Sequence, residues 1–269
     1  METFLQVLFA RLPERDQTAF FNLQNCKSAT DTGPLLGRLL TNGVTFSPYP
    51  TGPNHAGVFP TLARCNHSCG PNALARFNHN TWAIELRATR VIKAGEEILI
   101  SYVDVLQEST KRSEQLTRGY NFTCRCLWCG LPQSKLVASN TRRMEIASWL
   151  ESKPIFRALQ GDSDAISSVI SHAQEEVPQA QDEVMGMIAK VVTATREGLE
   201  PLSLLVVKKL FQAYAHQGDE KSFRKWRGSF RDLSLAVCGE TADTDSAERE
   251  IVDPASTVPY WGDVKLSSK

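Results

Sequence analysis

Three cysteines fall within six residues at Cys124-Arg125-Cys126-Leu127-Trp128-Cys129. Zinc in a closed structural site takes four tetrahedral ligands, often all thiolates, so this C-x-C-x-x-C cluster is one ligand short. Cys69 is the candidate fourth, far upstream in Asn66-His67-Ser68-Cys69-Gly70-Pro71-Asn72. Such a site would pin the later segment onto the earlier one and couple metal binding to folding. The bland alternative, buried unliganded thiols, does not account for three cysteines so closely spaced.

The chain has seven cysteines, an odd and unevenly spread number. That pattern fits metal binding in a reducing compartment better than a disulfide framework. Cys26, Cys65 and Cys238 are left over. Cys26 and Cys238 read as small buried hydrophobes, and Cys65 competes with Cys69 for the fourth ligand position. Thirty acidic residues balance thirty basic ones, so charge points to no direct nucleic-acid partner and no membrane surface. No apolar run reaches a bilayer span and the amino terminus lacks a signal-peptide pattern. The expectation is a soluble intracellular protein, nuclear and/or cytoplasmic.

Residues 4–27 read as helical, with Phe4, Leu5, Leu8, Phe9 and Leu12 on one stripe and Pro13 as a break. Residues 33–45 read as a short helix running into a loop. Residues 46–60, with four prolines, read as irregular and exposed. From Thr61 the texture turns to short strands: 72–77 and 81–88 around a turn at Asn78-His79-Asn80, then 90–92 and 98–102 around a turn at Gly95. Residues 103–119 suggest a linker and a polar helix. Residues 141–238 are helical in texture, ending in an antiparallel pair joined at Gly218. The segmentation is 1–130, 131–238 and a disordered tail over 239–269.

Three motifs stand in a fixed order: N-H-S-C-x-P-N at 66–72, Gly95-Glu96-Glu97-Ile98-Leu99-Ile100-Ser101-Tyr102, and C-x-C-x-x-C at 124–129. Together they resemble the C-terminal half of a SET domain with its post-SET zinc motif, closest to the SET-MYND-like branch and its fungal relatives. The resemblance covers residues from about 33 to 130. It implies an α+β fold: short strands with a pseudoknot-like crossing and a post-SET zinc site, followed by an α-helical region that a tetratricopeptide-like reading would suit. It favours a packing role for Cys65, where the family carries an aliphatic residue, and leaves Cys69, Cys124, Cys126 and Cys129 as the Zn2+ ligands.

The activity implied is S-adenosyl-L-methionine-dependent N-methylation of a protein lysine, histone or non-histone. Only about one lysine in 2,500 is neutral at pH 7 with the usual pKa of about 10.4, so the amine must be desolvated and aligned. That task calls for aromatic walls more than for an acid–base pair. By the resemblance Tyr102 is the catalytic tyrosine. Asn66, His67, Tyr102 and Phe122 contact the cofactor, and Tyr120 lines the substrate channel. Asn72 is expected to brace the crossing, and Glu96 and Glu97 to form a solvated turn and a brace.

The chain departs from the family pattern in holding no G-x-G cofactor motif and no MYND cysteine cluster. A SET domain lacking its first strands, whether a truncated gene product or not, is expected to transfer methyl groups weakly or not at all. The alternative is a non-catalytic zinc-stapled scaffold whose helical region recruits a protein partner.

Overall fold

The computed structural model describes residues 1–28, 32–46, 55–78, 81–151, 181–239 and 242–262. They fall into two compact units, one of residues 1–86 with 92–144, the other of 87–91 with 145–269. The segmentation expected at 130/131 therefore shifts, because residues 131–144 pack with the first unit. None of the described helices is long and apolar enough to cross a membrane.

In the first unit Pro13 separates α1 (Glu2–Phe9) from α2 (Glu14–Phe21). Phe9 meets Phe20 and Phe21 at ring distances of 5.2 and 5.0 Å. The apolar stripe of α1 does not become core, since Phe4, Leu8 and Leu12 remain exposed. Helix α3 (Pro34–Asn42) starts at a proline, whose missing N–H costs nothing there. The Glu2 carboxylate accepts hydrogen bonds from the Leu35 and Leu36 amides at 2.9 and 2.8 Å. An anion at the positive end of the helix caps it and ties α1 to α3.

Three two-stranded pairings follow among the described residues. Strand β1 (Gly43–Phe46) is antiparallel to β2 (His55–Val58). The irregular segment expected at 46–60 thus contains a strand, and its residues 47–54 lie outside the described residues. Strand β3 (Asn66–His67) runs parallel to β6 (Leu99–Ile100), with Asn66 opposite Leu99 and His67 opposite Ile100. Strands β4 (Ala73–Asn78) and β5 (Ala83–Ala88) form the third pair. Of the turn expected between them, residues 79 and 80 lie outside the described residues.

No strand forms at 90–92, contrary to expectation. The chain there bends into the Lys93–Glu96 turn, closed by the Glu96 amide on the Lys93 carbonyl at 3.0 Å. Gly95 takes φ +83° there, a conformation that favours glycine.

The crossing is held by Asn72, which is buried. Its Nδ2 donates to the Glu97 carbonyl at 2.8 Å and to the Glu96 carboxylate at 3.2 Å, while its Oδ1 accepts from the Leu99 amide at 2.8 Å. The Ser68 and Asn72 amides bond the carbonyls of Ile100 and Leu99, so both ends of the 66–72 segment are bound to 96–100. After the crossing come α4 (Ser109–Tyr120), stopped by Asn121 in the left-handed region, and α5 (Gln133–Glu151). Asn140 of α5 exchanges hydrogen bonds with Ser109 of α4.

The second unit is helical: α6 (Gln181–Arg196), α7 (Leu204–Gln217) and α8 (Glu220–Val237). Gly218, at φ +68°, ends α7, and Asp219 caps α8 through the Ser222 amide. Phe211 packs on Phe223 and Phe230 at 6.0 and 5.2 Å. The tetratricopeptide-like reading runs through residues 152–180, outside the described residues.

The disordered tail expected over 239–269 is corrected for residues 242–262; residues 240, 241 and 263–269 lie outside the described residues. Residues Ala242–Val252 (α9) and Pro254–Thr257 (α10) are helical. Ala247 and Val258 are buried, Trp261 meets Phe223 at 5.2 Å, and Glu250 pairs with buried Arg227 at 2.6 Å. A few apolar contacts and one buried ion pair order a segment whose composition is mostly polar.

Candidate functional site

The post-crossing loop brings Cys124, Cys126 and Cys129 back to Cys69. All four sulfurs lie within 4.8 Å of one another, with Cys69 and Cys129 at 3.5 Å. Zn–S bonds of about 2.3 Å in a tetrahedron place sulfurs about 3.8 Å apart, so this cluster fits a single zinc ion with only small shifts. The Cys126 thiol is pulled far below its usual range by hydrogen bonds from Cys129 and Cys69. Cys69 is pushed up, chiefly as the hydrogen-bonding partner of Cys126, and Cys124 is pushed up to about 12, chiefly by burial. Thiols this close to one another compete to lose a proton, and a bound cation would replace those protons.

The local sequence makes this approach feasible. A Cβ on Gly70 would lie 2.2 Å from the Trp128 ring, so glycine beside Cys69 lets the loop tryptophan close over it. Cys65 stays outside the cluster, half-buried, its thiol raised by burial and by Glu97. Cys238 is buried as expected. Cys26 is only half-buried and hydrogen-bonded, to Thr41 Oγ1 at 3.2 Å and to the Gly119 carbonyl at 3.5 Å.

An aromatic face adjoins the cysteines. Tyr102 leaves β6 and meets Tyr120 at 4.7 Å, Phe122 at 6.5 Å and His67 at 5.4 Å between ring centres. His67 and Phe122 are 6.1 Å apart. The Tyr102 hydroxyl donates to the Cys65 carbonyl at 2.6 Å. Burial raises the Tyr102 phenol to about 12, with Tyr120, Cys65 and Glu97 adding to it. Tyr120 is raised by burial and by Cys26. Both phenols therefore keep their protons at neutral pH.

His67 is lowered to about 4, first by burial, with Cys126 opposing and Arg112 assisting; it is neutral at pH 7. Its Nδ1 accepts from the Tyr102 amide at 3.0 Å. The ring proton must therefore sit on Nε2, which faces Cys69 Sγ at 3.4 Å. With both nitrogens engaged, His67 can offer a ligand only its ring face and main chain. Asn66 is exposed and donates to the Glu97 carboxylate at 2.5 Å.

Two residues that sequence reasoning passed over converge on the same cysteine. Arg112 Nε donates to Cys69 Sγ at 3.2 Å, and Arg143 Nη1 donates to the Cys69 carbonyl at 2.9 Å. The signal available was spacing: Arg112, Leu116 and Tyr120 recur every four residues on α4, the inward face of a helix, and Leu116 is fully buried.

A family model and several curated relatives match part of the chain. The SET domain model matches residues 11–103. These residues are a SET domain. Its range includes Asn66, His67, Cys69 and Tyr102 and ends before Tyr120, Phe122 and the three later cysteines. The chain is 33% identical over 135 residues to the histone-lysine N-methyltransferase set5 of Schizosaccharomyces pombe, covering 50% of this chain and 40% of that protein. It is 37% identical over 95 residues to the N-lysine methyltransferase SMYD2 of Homo sapiens, covering 35% and 22%. The corresponding match to the histone-lysine N-methyltransferase SMYD3 of Mus musculus is 44% over 73 residues, covering 27% and 17%. The chain thus spans well under half the length of these curated relatives. Fold class and family agree: an α+β SET domain with short strands, followed by a helical region.

Proposed function

We propose that this protein is a protein-lysine N-methyltransferase of the SET class, using S-adenosyl-L-methionine, with its aromatic face fixed by a structural zinc ion on Cys69, Cys124, Cys126 and Cys129. The observation that carries the reading is the packing of Tyr102 and Phe122 on His67, with Tyr120 on Tyr102, beside the cysteine cluster and within and just after a SET domain.

The residues suit a cationic ligand. Ring faces of Tyr102, Phe122 and neutral His67 offer negative π density to a sulfonium or an ammonium. Bound there, the cofactor supplies an electrophilic methyl group. Tyr102, with its hydroxyl tethered to the Cys65 carbonyl, supplies a fixed oxygen. A phenol raised to about 12 orients groups and does not serve as the base at neutral pH. The incoming lysine therefore sheds its proton to solvent, favoured by desolvation between Tyr102 and Tyr120. Asn66 contributes as a polar rim residue and His67 through main chain and ring face.

A protein substrate, histone or other, is the partner class this reading implies, met in nucleus or cytoplasm. The helical second unit is read as a surface for a protein partner. The test is calorimetric titration of the zinc-loaded chain with S-adenosylhomocysteine, followed by transfer of a labelled methyl group to lysine peptides. Binding of the cofactor analogue with transfer above background, even if slow, would support the reading. Zinc-loaded, folded protein without either would leave a non-catalytic scaffold in its place.

A further inference from the structure

Arg112 is wholly buried on α4. Its Nε donates to Cys69 Sγ at 3.2 Å, its Nη1 donates to the Gln107 carbonyl, and its Nη2 is buried with no hydrogen-bond partner among the described residues. Arg143 on α5 is also wholly buried, and its Nη1 donates to the carbonyls of Cys69 and Val105 at 2.9 and 2.6 Å. Of the four clustered cysteines, Cys69 is therefore gripped by one arginine at its sulfur and by another at its main chain. The His67 ring adds an Nε2 contact to the same sulfur at 3.4 Å.

A guanidinium is costly to bury unless an anion or a full set of acceptors compensates it. A neutral Cys69 thiol and the Gln107 carbonyl compensate Arg112 poorly, and one of its nitrogens is left over. Four thiolates around a divalent cation carry a net charge of minus two, which changes the balance. A buried guanidinium in contact with one of those sulfurs then offsets charge in both directions.

We infer that Arg112 is the positioning residue of the cysteine centre, compensating the charge of the metal-bound thiolates through Cys69 and setting how tightly the metal is retained. The inference rests on the zinc reading above. Arg143 holds the backbone on which Cys69 is carried, through the Cys69 and Val105 carbonyls. Partners of this kind around a metal typically change affinity by about tenfold to a hundredfold.

The test uses the full chain. Zinc affinity is measured by competition with a chromophoric chelator for wild type, Arg112→Met, Arg112→Lys and, as a control, Leu116→Ala. Leu116 is buried one turn along α4 and removes packing without touching charge. Expected is a loss of affinity of about tenfold to a hundredfold for Arg112→Met, a smaller loss for Arg112→Lys, and near-wild-type affinity for Leu116→Ala despite its lower melting temperature. In the cobalt-substituted proteins, the sulfur-to-metal charge-transfer band should move in both Arg112 variants and stay in place in Leu116→Ala. If Arg112→Met does not fold, the band of Arg112→Lys decides the matter. Unchanged affinity and band in the Arg112 variants, or equal zinc loss in Leu116→Ala, would overturn the inference and leave the metal site standing. A wild-type chain that takes up no zinc would overturn the metal reading itself.

Discussion

The main-chain amide of Tyr102 donates to Nδ1 of His67 at 3.0 Å, and the two rings lie 5.4 Å apart. This bond runs from two residues beyond β6 to the side chain of a β3 residue, next to the short parallel pairing of those strands. It also fixes the imidazole tautomer, so one ring joins the aromatic face to the sulfur of Cys69. Ring orientation at Tyr102 and geometry at the cysteine cluster are in this way mechanically one unit.

Replacing Cys126 with serine should drop metal content below one zinc per chain, because a tetrahedral thiolate site loses one of its four ligands. Hydrogen exchange should then quicken over residues 120–130. Full zinc content in Cys126→Ser, measured by atomic emission, would eliminate this ligand set.

Gly70→Ala forces a methyl group into the Trp128 ring, 2.2 Å from where its Cβ would stand. The expected cost is about 1–3 kcal/mol of stability, with Trp128 displaced. Thermal unfolding together with tryptophan fluorescence reads both effects, and a native melting temperature would show that the loop relaxes freely.

Tyr102→Phe keeps the ring and removes the tether to the Cys65 carbonyl. Methyl transfer should fall by about a hundredfold, the scale of a misplaced reacting group, while zinc content and circular dichroism stay native. Turnover equal to wild type would remove Tyr102 from the catalytic assignment.

Stability should also depend on this hydroxyl at alkaline pH. Its folded pKa is raised to about 12 from an ordinary value of about 10. The folded state therefore holds the proton more tightly than the unfolded state. Its stabilising contribution is complete below about pH 10 and disappears as pH rises through about 12. Denaturant midpoints across this window should fall more steeply for wild type than for Tyr102→Phe; parallel curves would contradict the assignment.

What was legible in the sequence was whatever depended on spacing or on a single backbone rule. Pro13 and Gly218 had to interrupt helices, and Asn72 in its motif was readable as a brace. The three late cysteines with Cys69 were readable as one cluster. What escaped depended on partners supplied from elsewhere in the chain. Arg112 and Arg143 sit on helices of polar texture, where an arginine reads as solvent-facing until the anion it meets is known. The order of 242–257 depends on Arg227 and Phe223 of α8, which no local composition reports. The stripe of α1 did mark a helix, but the described residues cover little of it.

The parallel pairing of β3 with β6 has a consequence for how the molecule comes into being. Asn66 cannot meet Leu99 until the intervening chain has closed a loop around them, and the entropy lost in that closure precedes any contact that rewards it. Helices α1 to α4 need no such wait, and β4 and β5 are close in sequence. The corner holding His67, Tyr102 and Cys69 is accordingly expected to be the last part of the first unit to assemble, and metal delivered before then would meet three cysteines rather than four.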